Sequence, residues 1–326
     1  MNARPDAGAW PQETPKIETR AGAIIGSIGL FFIGVFSLIC VAGGMGMIPL
    51  LIRGGLDPAN PGLSMTGDVM ALSFFAGFGA FAVLGIAFTL ALGWQVRQAV
   101  GLRWPPIAGW VVAIVGGCTV GLLPGWIAEQ LFLLFPELAD NGTLEVIPRL
   151  LTDGTTFEQI AVLTTIVVGA PLLEEVCFRG LLWNALERAL PGQKGQGLAF
   201  VITSSAFVLA HADLVQSPAL IFTAFFLGWL RWTSGSVWPG IVAHFMNNGL
   251  AAMLTLLTIH YDWDLSASPL WLAVVGAVVT LALATLLWVY RRAPAATPED
   301  AWAQVGRTEA WEDDAPTDPL TQANPA

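Results

Sequence analysis

EQIAVLTTIVVGAPLLEEVCFRGLLWNAL, residues 158–186, joins two properties that rarely share one segment. The stretch is long and apolar enough to cross a bilayer, since a helix needs about 20 such residues to span ~30 Å of hydrocarbon. It also carries Glu174, Glu175 and Arg179 in its middle. On insertion scales each intramembrane charge costs about 2.5–3.5 kcal/mol, so three left unpaired would cost roughly 8–10 kcal/mol. Glu175 and Arg179 stand four apart with the glutamate first, the spacing that lets a helix pair them on one face. Glu174 is rotated from Glu175 by about 100° and must face something else.

The rest of the chain has the same character. Of its 326 residues 55% are hydrophobic and only 12% charged, with a mean hydropathy of +0.66. Soluble domains carry about 25% charged residues. The apolar residues come in blocks, which predicts an all-α, polytopic membrane helix bundle of eight spans: 21–42, 69–93, 107–134, 158–186, 198–212, 218–231, 236–259 and 269–290. The fifth and sixth are short, which suits helices inside a bundle. Trp104-Pro105-Pro106 opens the third, and Pro191-Gly192 with Gly195 breaks the chain after the fourth. Pro218 and Pro239 fall near helix starts, where a missing N–H is tolerated. The first apolar run is too long for a signal-peptide core and is expected to be a retained helix. Cys40, Cys118 and Cys177 all fall inside spans and are expected to pack there as thiols.

Three regions follow: an N-terminal segment 1–20, a membrane-embedded domain 21–292 with its polar core at 158–259, and a tail 293–326. The tail holds seven acids against Arg307 alone, with five prolines, a composition expected to stay disordered. The net charge of −10 and pI near 4.6 argue against a nucleic-acid partner. Basic residues favour the cytoplasmic side of a membrane. Eight spans put Arg4, Lys16, Arg20, Arg97, Arg103, Arg188, Lys194, Arg231, Arg291, Arg292 and Arg307 on one side, and only Arg53 and Arg149 on the other. The expectation is a multi-pass protein of the plasma (inner) membrane with both termini cytoplasmic.

Three histidines complete the polar inventory. His211 ends the fifth span, four residues after Phe207; His244 lies in the seventh, four residues before Asn248. Spacing of four puts His244 and Asn248 on one helix face. His260, beside Tyr261 and Asp262, reads as an interfacial residue. Counted at ~1.5 Å per residue from the cytoplasmic ends, Glu174 lies about 21 Å deep, His211 about 20 Å, His244 about 12 Å and Asn248 about 18 Å. Separate helices thus bring polar groups to one stratum. A glutamate there can act as general base, a histidine can hold the water and carry a proton, and His and Asn can donate to an oxyanion. Equally, Glu174, His211 and His244 could bind zinc and activate the same water. A proton relay in a transporter, or a non-catalytic membrane protein, would use the same residue types, although no internal repeat supports a transporter.

At these residues the chain resembles the CPBP family, the CAAX proteases and bacteriocin-processing enzymes also called the Abi family. Its three motifs stand here in order as Glu174-Glu175…Arg179, Phe207…His211 and His244…Asn248. TSGSVWPGIVAHFMNN at 233–248 is similar to the family's approach to its last motif, and GLRW at 101–104 to a short signature of many bacterial members. The resemblance implies an intramembrane endopeptidase acting on a membrane-associated protein or peptide. It implies Glu174 as the general base, His211 as a holder of the water, and His244 and Asn248 as oxyanion donors. Glu175 and Arg179 would brace the site, and Phe207 would pack it. The family is described both as metal-dependent and as metal-free, so the resemblance leaves zinc open; the Asn beside His244 favours the metal-free form.

Overall fold

The computed structural model describes scattered positions within 22–34 and residues 66–135, 143–190, 192–211, 216–261 and 270–292. The described residues up to 291 belong to one compact unit. Most of the expected first span, the N-terminal segment and the acidic tail lie outside the described residues, although the described positions within 22–34 are helical. All other elements are helices, and no strand occurs among the described residues. In chain order they are α1 (Gly67–Ala91), α2 (Val96–Val100), α3 (Ile107–Val120), α4 (Leu122–Leu134), α5 (Thr143–Asp153), α6 (Thr156–Ala189), α7 (Gln193–Ala210), α8 (Gln216–Ser234), α9 (Trp238–Tyr261) and α10 (Leu270–Arg292). Five stretches are long and apolar enough to cross a membrane: α1, Ile107–Leu131, α6, α9 and Leu270–Val289. The protein is a polytopic helical bundle.

Local chemistry sets the helix ends. Thr155 starts α6 with a capping box: its hydroxyl accepts from the Glu158 N–H, and the Glu158 carboxylate accepts from the Thr155 N–H at 2.8 Å. Gly101 closes α2 in the left-handed region at φ 74°, which glycine enters without steric penalty. Ser236 precedes α9 and its hydroxyl accepts from the Trp238 N–H at 3.2 Å, with Pro239 in the first turn. α5, like the short α2, lies outside the eight expected spans. α5 is amphipathic, contains Pro148, and buries Leu150 and Leu151 against Met70 and Val162.

One apolar core runs through the bundle, with Phe78 and Phe81 of α1, Ala113 of α3, Phe178 of α6, Phe207 of α7, Leu227 of α8 and Ala243 of α9. Small residues let the helices close. A Cβ added at Gly117 would stand 2.4 Å from the Ala243 carbonyl oxygen, so α3 and α9 touch backbone to backbone. Large apolar side chains also cover the outside, among them Val83, Ile107, Trp271 and Leu281, each more than 60% exposed. A soluble protein hides such area; one solvated by lipid has no reason to.

Candidate active site

α6 carries the site, and it is not a uniform α-helix. Two segments, Thr165–Gly169 and Glu175–Leu182, wind with i→i+5 hydrogen bonds, and Glu174 ends the short α segment between them. Such wide turns concentrate at functional positions. The first has a traceable consequence. The Ala170 N–H serves the Thr165 carbonyl, so in the same register the Ile166 carbonyl would be served by residue 171. Residue 171 is proline and has no N–H. Asn248 of α9 supplies what is missing: its Nδ2 donates to the Ile166 oxygen at 2.8 Å. Its Oδ1 in turn accepts from Asn247 Nδ2 at 3.1 Å.

The second wide turn holds the charged residues. Arg179 Nη1 donates to Glu175 Oε1 at 2.9 Å, and both side chains are wholly buried. Arg179 also donates through Nη2 to the Ala224 carbonyl of α8 at 2.9 Å, and its guanidinium lies 4.4 Å over the ring of Phe207. The other carboxylate oxygen, Glu175 Oε2, sits against Gly240, where an added Cβ would come within 2.6 Å of it. Glycine is therefore required at 240 for the carboxylate to stay in place.

His244 lies between the two glutamates. Its Nδ1 is 3.5 Å from Glu175 Oε1 and its Nε2 is 4.0 Å from Glu174 Oε2. Glu174 and His244 are each 4% exposed. Phe207 forms the floor, 5.6 Å from the His244 ring and 4.8 Å from the His211 ring. His211 caps α7, half-buried, with Nδ1 2.9 Å from the Phe207 carbonyl oxygen. A nitrogen that close to a carbonyl must carry the proton, so the neutral ring presents Nε2 as an acceptor. Four buried atoms of this cluster have no hydrogen-bond partner: Glu174 Oε2, Glu175 Oε2, Arg179 Nε and His244 Nδ1. Buried polar groups in folded proteins are nearly always paired, and exceptions gather where chemistry is done.

The arrangement thus brings Glu174, Glu175, Arg179, Phe207 and His244 together and sets His211 against the same phenyl ring. Asn248 stands one turn along α9, tied to α6. Zinc would need three or four ligands converging at about 2.0–2.3 Å. Among the described residues no group of three His, Cys, Asp or Glu is placed to hold a metal ion. Glu174, His211 and His244 as they stand are not placed to share one zinc ion. Cys177 is fully buried with its Sγ 3.7 Å from the Phe78 carbonyl, a packing thiol. His260 is exposed and bonds its own helix at the Leu256 carbonyl.

Sequence reasoning missed three contributors. Gly240 and Pro171 act through space and backbone, and the one visible sign was a proline in mid-span. Arg231, expected at the cytoplasmic end of the sixth span and counted only for topology, is only 5% exposed; its Nε donates to the Arg179 carbonyl at 2.9 Å.

Against known families, residues 156–250 match a family described as type II CAAX prenyl endopeptidase Rce1-like. This segment resembles that family. It contains all three motifs, from the start of α6 through Asn248, and it agrees with the CPBP resemblance. No curated protein and no solved structure matches the chain.

Proposed function

We propose that the protein is a CAAX-type intramembrane endopeptidase that hydrolyses a peptide bond of a membrane-associated protein or peptide without a metal. The observation that carries this reading is the pairing of Glu174 Oε2 with His244 Nε2, 4.0 Å apart and almost fully buried. One water can bridge two groups at that separation. Glu174 removes a proton from this water as its oxygen attacks the scissile carbonyl carbon. Charge then develops on the carbonyl oxygen. His244 and Asn248 donate to it, Asn248 through the N–H that Ile166 does not use. Collapse of the tetrahedral intermediate breaks the C–N bond, and Glu174 passes its proton to the leaving amine. Glu175, held by Arg179, fixes the His244 ring from its Nδ1 side. His211 helps hold the water through its acceptor nitrogen.

The decisive experiment is cleavage of a lipidated or transmembrane peptide by purified protein in lipid. Glu174→Gln keeps the size of the side chain and removes the base. Its turnover should fall by about 10²–10⁴-fold while its unfolding temperature holds. A Glu174→Gln variant that cleaves at the wild-type rate would refute the assignment.

A further inference from the structure

A polar cavity of about 320 Å³ opens at the end of the bundle where α6 finishes and α7 begins. It lies away from the Glu174–His244 pair. Three segments that the charge asymmetry assigns to one membrane side meet there: the turn after α2, the α6–α7 junction and the end of α8. Arg103, Arg188 and Arg231 line it against a single acid, Glu187. Glu187 already accepts from Gln196 Nε2 at 2.6 Å.

The three arginines are held differently. Arg231 is 5% exposed, with Nε on the Arg179 carbonyl and Nη2 on Asn184 Oδ1 at 3.2 Å. Its Nη1 has no hydrogen bond among the described residues, and the side chain faces the cavity. Arg188 stacks 4.5 Å over Trp94, which fixes its plane. The exposed Arg103 guanidinium makes no hydrogen bond or ion pair with any described residue. A buried cation with an unused donor, two more guanidiniums at the rim and one acid already hydrogen-bonded to Gln196 leave the lining with an excess of positive charge, a receptor for an anion. Guanidinium matches phosphate oxygens in pairs. Basic pockets between helices at a membrane face suit phospholipid headgroups.

We propose that this cavity binds a phosphate group, supplied by the headgroup of an anionic phospholipid. Occupancy would also bear on the site, because Arg231 holds the carbonyl of the same Arg179 that clamps Glu175. The binding claim does not depend on the peptidase reading.

The test is ligand binding by the delipidated full chain in detergent, read by native mass spectrometry and thermal unfolding. The probes are phosphatidylglycerol, phosphatidylcholine and inorganic phosphate. Phosphatidylglycerol should bind about tenfold more tightly than phosphatidylcholine and raise the unfolding temperature. Arg103→Gln should weaken phosphatidylglycerol about tenfold, the effect of one lost charged hydrogen bond, with the lipid-free unfolding temperature unchanged, and Arg188→Gln should weaken it as much while also losing its stack on Trp94. Arg231→Gln is avoided because it also strands the Arg179 carbonyl. If inorganic phosphate protects as well as phosphatidylglycerol, and both variants lose that protection, the lipid source is overturned in favour of free phosphate. Equal binding of the two lipids, or phosphatidylglycerol binding untouched in both variants, overturns the proposal.

Discussion

Removing the Asn248 side chain should destabilise the protein by an amount that depends on a residue in another helix. In Asn248→Ala the Ile166 carbonyl loses its 2.8 Å donor, and no backbone N–H can take over because residue 171 is proline. A polar group left unpaired in a water-free interior costs about 1–3 kcal/mol. Pro171→Ala restores an N–H in the register that the Ala170–Thr165 hydrogen bond defines. Alone, Pro171→Ala should change stability by no more than about 1 kcal/mol, mostly by loosening the unfolded chain. Placed under Asn248→Ala, it should return about 1–2 kcal/mol by capping the stranded carbonyl. Thermal unfolding of the four proteins of this cycle in one detergent would measure the coupling. If Asn248→Ala costs the same in the wild-type and the Pro171→Ala backgrounds, within about 0.5 kcal/mol, the two residues do not share a carbonyl and the reasoning fails.

Arg179→Ala should lose about 3–5 kcal/mol because it strands Glu175 as a buried charge, and Glu175→Gln combined with Arg179→Met should recover part of it; additive losses in detergent unfolding would mean that the 2.9 Å pair carries no net coupling. Gly117→Ala should destabilise by about 1–3 kcal/mol through its 2.4 Å clash with Ala243, and Gly79→Ala, with nothing within 4 Å, should be neutral or slightly stabilising; equal unfolding temperatures for the two variants would count against the α3–α9 contact. Reporter fusions after Arg97, Lys194 and Arg292 should read cytoplasmic and a fusion near Arg149 external, since the basic residues divide eleven to two; a cytoplasmic Arg149 would overturn the eight-span order.

The spans were legible because a bilayer imposes length and apolarity together. Span 158–186 became Thr156–Ala189 and 236–259 became Trp238–Tyr261, whereas 218–231 falls on the helix Gln216–Ser234, which is not among the five stretches apolar enough to cross. The expected span 107–134 contains the apolar stretch Ile107–Leu131, with a break between two helices at Gly121. α5 went unread because eleven residues cannot cross a membrane and Pro148 breaks the pattern, although Ile147, Leu150 and Leu151 have helical spacing. In the site, the Glu175–Arg179 pair could be read from i,i+4 spacing, whereas the depth count set His244 about 9 Å shallower than Glu174, from which it stands only 4.0 Å. The count could not show that His244 sits between both carboxylates, because that depends on how far α9 approaches α6 at Gly240. Nor could it show the wide turns, since periodicity arguments assume one helical register.

Those wide turns explain how a buried helix can be held so firmly by its neighbours. A regular α-helix uses its own carbonyls and offers few to other elements. In α6, carbonyls of the wide turns also accept from side chains of other helices: Ile166 from Asn248 and Arg179 from Arg231. α9 grips the helix on one side of Glu174 and α8 on the other. Asn248 thus has two duties under the proposed mechanism, fixing α6 and donating to the oxyanion, and the two can be separated. The variant carrying both Pro171→Ala and Asn248→Ala should regain stability, because an N–H of α6 itself now serves Ile166. Its turnover should stay about 10²–10³-fold down, because no new donor reaches the substrate. A double variant that recovers turnover along with stability would reduce Asn248 to a strut and leave His244 as the oxyanion donor.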